Sequence, residues 1–472
     1  MLIKLDMAEW LPDRPGVVGA LTEAQNVYPV AAGYSPFPSA VILSDAASED
    51  LITCFAGKSS GSTTLFAGGA TKLFKFDSAD LDLDDVSQMG GYTASGWDFT
   101  QFGNTVIAAN GTDKLQGWTL GTSTSFADLD AAAPTAKFIT VVRDFVVAGS
   151  DSTDANKLYW SDINDETDWT PGAASQSDFQ LIADGGDIKG LTGGEIGIVL
   201  LERSIVRMTY IGSPLFFQFD NISRGVGCFA SGSVAQYKGI TYFLSDNGFY
   251  QTDGSSVQPI GNEKVDRFFF DDVSGARIDE MSAAVDPLKK LVIWNYYSTD
   301  GQPAQLIYSI DLNKWSYARA NLDGIAELAT AGVTLEGLDS YGTVDTIDRS
   351  FDSRVWSGGD LLLAGVRGDR IVTVDGSNLT ATITTGDVQL DGMRSVAIYG
   401  RLYIDNGSGS ISVASRDLLD AGVNFGVTSA TNSDGRVPLR SNGRFHRFKI
   451  TPSGDWHTVV AVDLELAPQG IR

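Results

Sequence analysis

Two cysteines and two histidines are all that 472 residues contain. Cys54 in LITCF and Cys228 in GVGCFASG lie far apart among apolar or small neighbours. They read as buried free thiols, since a disulfide framework needs many cysteines in a short chain. With His446 and His457 as the only imidazoles, the ligand supply for a zinc or iron centre is too thin. No apolar run approaches the roughly 18 residues that a membrane helix requires. The start, MLIKLDMAEWLPDRPG, has neither an apolar signal core nor a small-residue cleavage site. A mature chain beginning at or near Met1, without a cleaved export signal, is therefore expected. Positive charge is also scarce: 34 basic against 59 acidic residues leave a net charge of -25. Such a chain cannot gain affinity for nucleic acid by releasing counterions, which disfavours a DNA-reading or DNA-wrapping role. A soluble acidic surface accounts for the charge, and a conduit along which DNA slides without sticking would want the same property.

Helical periodicity is rare too. What fills the chain is short β-branched and aromatic runs punctuated by Gly, Asp, Asn and Ser, with 52 glycines, the pattern of a turn-rich all-β protein. One unit recurs: an apolar strand, a tight polar turn and a second strand. Copies begin with TTLFAGGATKLFKFD, NTVIAANGTDKLQGWTL and DFVVAGSDSTDANKLYWSDI, and continue with EIGIVLLERSIVRMTYIG, ITYFLSDNGFYQTDG, KLVIWNYYSTDGQPAQLIYSIDLNKWS and DLLLAGVRGDRIVTVDG. Phe66, Ile107, Val146, Val199, Phe243, Ile293 and Leu362 are equivalent positions, spaced by 41, 39, 53, 44, 50 and 69 residues. All but the last spacing fall near the length of a four-stranded propeller blade. The last leaves room for an insertion, placed at residues 330–350. The hairpins predict a β-propeller of six or seven blades over residues 51–377, each hairpin supplying the middle strands of a blade. An unrelated β-sandwich array is the alternative.

Within the propeller, NEKVDRFFFDDV from Asn262 has apolar residues at three to four residue steps. This spacing predicts a short amphipathic helix near 263–273, capped by the Asn and packed on the propeller or on a neighbouring subunit. Pro12, Pro15, Pro29, Pro36 and Pro38 make residues 1–50 an extended strap, neither a helix nor a central strand. The strap either closes the propeller or reaches another subunit. Strongly alternating runs from ATITTGDVQL to TVVAVDLELAP predict an antiparallel β-sandwich at 378–472.

Several stretches invite a chemical reading. DLDLDD at Asp80–Asp85 has Val86 where a calcium loop needs Gly, and reads as a solvated edge strand. SDINDETDW around Asp162 reads as a turn between strands, with Trp160 and Trp169 in blade cores. Trp97, Trp118, Trp294 and Trp315 read as inter-blade core. The glycine pairs at Gly185 and Gly193 do not open helices. Asn110, Asn221 and Asn378 head NxS/T triplets that matter only in a secreted eukaryotic chain. YFLSDNGFYQTDG, Tyr242 to Gly254, resembles the Asp-box turn of sialidase-type propellers, but a single copy lacks the closing Trp. Arg143, Arg203, Arg207 and Arg224 are the arginines such an enzyme would have to converge. Asp246, Asn247 and Gly248 suit the positive φ of a tight hairpin turn. No catalytic, cofactor-binding or metal-binding residue is assigned from the sequence.

Taken in order, NVYPVAAGYSPFPS, KLYWSDINDETDW and LLERSIVRMTYIGSPLFFQFDNISRGVGCFASGSVAQYKGITYFLSDNGFYQTDG, then the helix and YSIDLNKWS, resemble the tail nozzle proteins of short-tailed double-stranded DNA bacteriophages. These are also called tail hub or packaged-DNA stabilisation proteins. The resemblance spans nearly the whole chain in order and spacing, on short motifs. It implies a non-enzymatic virion structural protein without cofactors, assembled in the host cytoplasm into the tail. It further implies a hexameric ring below the portal and head-to-tail adaptor, bearing tail fibres or tailspikes and a distal plug. The ring would retain packaged DNA and conduct it during ejection without sequence-specific binding. A glycan-binding or glycan-cleaving tail propeller is the alternative reading.

Overall fold

A computed structural model describes residues 1–59, 61–330, 359 and 361–469; the expected insertion at 330–350 falls almost wholly outside them. Seven antiparallel sheets succeed one another as propeller blades. Blade 1 spans Leu51–Asp85, blade 2 Asp98–Asp128, blade 3 Ala136–Leu181 and blade 4 Ile188–Arg224. Blade 5 spans Ala235–Pro259, blade 6 Ser282–Ala318, and blade 7 begins at Gly324. The fold is an all-β propeller, and its blade number is seven. Each of the seven marker positions, Phe66 to Leu362, lies on the second strand of its own blade. These strands are apolar on both faces because each packs against the blades before and after it: Thr105–Ala109 and Leu291–Tyr297 are buried throughout.

Residues 1–50 depart from the expected strap. They form five strands: β1 (Leu2–Asp6), β2 (Leu21–Gln25), β3 (Val27–Val30), β4 (Gly33–Pro36) and β5 (Val41–Ile42). β5 is the outer strand of blade 7, pairing Val372 with Ile42 and Thr373 with Val41. The start of the chain thus closes the ring. β2 is a central strand, set between Lys314–Ala318 of blade 6 and Thr382–Thr385. Its five residues, LTEAQ, fall in the proline-free interval between Pro15 and Pro29, so no ladder donor is lost there. β1 and β4 pair with the last strand, Thr458–Pro468.

The C-terminal strands form two sheets. One is six-stranded and takes in β1, β3 and β4; the other is the continuation of blade 6 through β2 into a ten-stranded sheet. Its far strands are Phe445–Ser453, Ser408–Arg416 and Ser429–Ala430. One hydrophobic cluster runs from Phe249, Phe269, Trp294 and Trp315, through Trp10, to Ile383, Ile450 and Leu464. The cluster is shared by propeller and sandwich.

Two polar residues pin this join. Asn26, at φ 58°, donates to the Thr380 carbonyl at 2.8 Å and accepts from the Arg319 amide at 2.8 Å. It ties the N-terminal segment to blade 6 and to the sandwich, and it is buried. Asp13 caps the helix α1 (Asp266–Asp272), accepting from the amides of Arg267 and Phe268 at 2.9 and 2.8 Å. The helix is thus shorter than the expected 263–273, and Asn262 is not its cap. An aspartate 254 residues before Arg267 reaches the exposed amides and adds negative charge at the positive end of the helix. The helix buries Phe269 against Phe249 and Tyr296 of its own chain, at ring separations of 4.9 and 5.0 Å.

Asn26→Ala leaves two partly buried backbone groups without their partner and should cost about 1–3 kcal/mol of unfolding free energy. Asp13→Ala should cost about 1 kcal/mol. Urea denaturation of both variants checks the ranking; equal, negligible losses would contradict the roles given to them.

Candidate functional site: the propeller bore

The seven inner strands surround a cavity of about 490 Å³ on the propeller axis. Every blade contributes: Ile52, Asp98, Lys137, Leu191, Gln236, Ser282 and Ile325 are one lining residue from each. The walls are held together by bonds between neighbouring inner strands. Asp98 of blade 2 accepts from the Ile139 amide of blade 3 at 2.9 Å. Gln236 of blade 5 donates to the Gly193 carbonyl of blade 4 at 2.8 Å. The Ser282 hydroxyl of blade 6 accepts from the Ile325 amide of blade 7 at 3.0 Å. Glu327 of blade 7 accepts from the Val285 amide of blade 6 at 3.1 Å, and burial raises its pKa. Gly193, one of the glycine pairs, sits so close to blade 3 that a Cβ would lie 1.9 Å from the Val141 carbonyl oxygen. Its role is blade contact.

The bore is acidic, but most of its carboxylates are engaged. Glu280 receives Nε of Arg277 at 2.9 Å and a second guanidinium bond at 2.5 Å. Asp323 accepts from the Tyr297 hydroxyl and the Gly368 amide, both at 2.7 Å. Asp98 differs: burial pushes its pKa up to about 7, against the opposing pull of the Ile139 and Phe99 amides. Inner strands of about five residues rising ~3.3 Å each make the bore short as well as narrow. Water and small cations fit. A DNA duplex, whose major groove alone is about 12 Å wide, does not.

Elsewhere the residues singled out from the sequence serve the fold. In the SDNG turn, Ser245 pairs with Gly248 and the tip is Asp246–Asn247. Positive φ falls on Gly248 alone, at 144°, and not on Asp246 or Asn247. A Cβ on Gly248 would meet the Asp266 carboxylate at 2.2 Å, and Asp266 accepts from the Phe249 amide at 3.0 Å. The turn is therefore latched to α1, and burial there raises Asp266 to about 6. Of the four arginines, Arg143 pairs with Glu195, Arg203 with Glu202 and Arg207 with Asp220, while Arg224 ends the outer strand of blade 4, opposite Ser204.

Asp80–Asp85 runs through a turn into the outer strand of blade 1. In SDINDETDW, Asp162 accepts from the Gln176 amide, Asp165 from Thr167 and Glu166 from Thr105. Cys54 and Cys228 are buried and free, their pKa pushed up to about 12. Trp118, Trp160, Trp169, Trp294 and Trp315 are buried as blade core, and Trp97 packs on Tyr92 while donating to the Gly69 carbonyl.

Two polar clusters carried no sequence signal. His446 is buried between the hydroxyls of Ser395 (2.9 Å from Nε2) and Ser415 (2.7 Å from Nδ1), and burial lowers its pKa. Asp387 bridges Arg416 and Arg447 at 2.5 and 2.9 Å. His446, Arg416 and Arg447 lie on alternating strands, where the inward polar residue is not distinguishable from its outward neighbours until the strands are paired, and Asp387 lies in the short link between Thr382–Thr385 and Val388–Gln389.

No known protein family and no curated protein matches the chain. Solved structures with similar chain paths include the extracellular domain of the putative hybrid two component system BT4673 from B. thetaiotaomicron. It is 10% identical, at a TM-score of 0.45, over 82% of this chain and 46% of that one. The Neurospora crassa Pan2 WD40 domain is 7% identical at 0.42, over 72% and 97%. The computationally designed Ika8 protein is 11% identical at 0.40, over 72% and 100%. The blade count and topology given above rest on the strand pairings of this chain itself.

Between its ordinary value of 3.8 and about 7, native Asp98 binds a proton that the unfolded chain has released. Stability therefore falls as pH rises through that window, at up to about 1.4 kcal/mol per pH unit. Asp98→Asn keeps an acceptor for Ile139 and removes the titration. Its stability should exceed wild type at pH 8, with the gap closing towards pH 4; parallel unfolding curves for the two proteins would contradict the raised pKa.

Proposed function

We propose that the chain is a virion structural protein, a tail nozzle subunit that assembles into a ring and lets packaged DNA pass during ejection. The observation that carries the reading is the ten-stranded sheet that continues blade 6 through β2 into the sandwich, with Gln25 of β2 paired to Tyr317 of blade 6. A wall under the pressure of packaged DNA needs such a block. The stretches that resemble the nozzle family support it by position. NVYPVAAGYSPFPS is the β3–β4 hairpin at the join, KLYWSDINDETDW belongs to blade 3, and the long third stretch spans blades 4 and 5. The acidic surface supports it by charge, since phosphates are repelled and sliding meets little adhesion.

The bore is too narrow for a duplex, so in this reading DNA passes through the lumen that several subunits enclose. The propeller is then a wall element, and its bore is filled by water.

Electron microscopy of the purified protein, alone and mixed with the head-to-tail adaptor encoded by the same genome, tests the proposal. Rings stacked on the adaptor are expected. Particles that stay monomeric and never dock would overturn it.

A further inference from the structure

Three chemically different side chains from three distant segments meet beside blade 6. Glu9 immediately precedes Trp10, Lys264 leads into α1, and Asn313 ends the turn before the last strand of blade 6, Lys314–Ala318. Lys264 Nζ is 2.9 Å from Glu9 Oε1. It also donates to Asn313, at 2.7 Å from the main-chain carbonyl oxygen and 3.3 Å from the side-chain Oδ1. The Tyr308 hydroxyl donates to the same Oδ1 at 3.3 Å. Trp10, Val265 and Trp315, close to the three in sequence, are fully buried in one hydrophobic cluster and fix the backbone that carries them.

An ion pair alone would need only Glu9 and Lys264. Here an amine, a carboxylate placed to take its proton and a carboxamide polarised at its oxygen stand together, and these are the groups needed to exchange one amide for another. Glu9 Oε1 is buried without an aligned hydrogen bond, and the lysine is the cation beside it. Burial pushes the Tyr308 pKa up to about 12. Its hydroxyl therefore keeps its proton at neutral pH and can donate to negative charge developing on Oδ1. The carboxamide carbon lies one bond beyond Oδ1, and the flexible four-carbon stem of the lysine lets Nζ leave the amide plane to approach it.

We propose that Lys264 and Asn313 become joined by an isopeptide bond, with Glu9 as the general acid–base. Glu9 takes a proton from the Lys264 ammonium, and the freed amine lone pair forms a bond to Asn313 Cγ. The carbonyl electron pair moves to Oδ1, where Tyr308 donates to it. Glu9 gives its proton to Nδ2 and takes a second one from Nζ. The carbonyl re-forms as the Cγ–Nδ2 bond breaks, and ammonia leaves with the proton that Glu9 holds, as ammonium. One ammonium group and one carboxamide thus give one secondary amide and one ammonium ion, with no oxidant or co-reactant. The bond ties the segment leading into α1 to blade 6 across 49 residues of chain, and the N-terminal segment supplies its catalyst.

Intact-mass spectrometry of the full chain tests it. Wild type should be lighter than its sequence requires by one ammonia, about 17 Da. Trypsin should release from it a branched peptide joining residues 239–267 to residues 291–314. Lys264→Arg and Glu9→Gln should each show the full sequence mass and no branched peptide, with circular dichroism spectra like that of wild type. Asn313→Gly should do the same, since glycine accepts the φ of 51° at this position. Wild type at its full sequence mass, with the two peptides separate, overturns the inference. So does an ammonia loss that persists in Lys264→Arg, which marks a succinimide at an Asn-Gly pair such as Asn247–Gly248. A branched peptide that still forms in Glu9→Gln overturns the role given to Glu9.

Discussion

Everything in this structure depends on where the first 50 residues pair. A propeller is a closed ring, and closure requires that one blade be completed by chain from the other end. Here Val41–Ile42 complete blade 7. The preceding segment goes further. Leu21–Gln25 lies between blade 6 and the sandwich as a shared strand, and Leu2–Asp6 pairs with the final strand. The contacts have very large sequence separation, so the entropy of closing the chain is recovered only when both modules are in place. Asn26 and Asp13 are polar residues that serve this arrangement: each satisfies backbone groups of an element hundreds of residues away.

The block that results has a functional consequence. With one core cluster running through blades 5 and 6, α1 and both sandwich sheets, the sandwich holds a fixed direction relative to the propeller. In the proposed ring, such a unit, with an acidic propeller and a neutral sandwich, would repeat around an axis with its narrow bore inside the wall, and the lumen would belong to the assembly. In the bore, burial pushes the Asp98 carboxyl up to about 7, and its visible task is to hold blade 3.

Much of the propeller was legible in the sequence because its signal is local. An apolar strand, a polar turn and a second strand lie within twenty residues, and the seven marker positions fell on the second strand of seven blades. The start of blade 1 at Leu51 and the alternating C-terminal strands were legible for the same reason. β2 was not, because LTEAQ has little β-propensity, prolines flank it, and its partners lie some 290 and 360 residues away. The cap of α1 was misread for that reason too: Asn262 is near in sequence, whereas Asp13 is near only in space. The bore was invisible because each blade supplies only a few of its residues and no stretch of sequence contains a motif for it. At SDNG, the local turn preference was right and the positive φ went to Gly248, where the Asp266 carboxylate leaves no room for a Cβ.

The central claim is that the N-terminal strands make propeller and sandwich one cooperative unit. Differential scanning calorimetry of the full chain tests it most directly. One transition is predicted, with calorimetric and van't Hoff enthalpies that agree. Two separable transitions, one for each module, would contradict it.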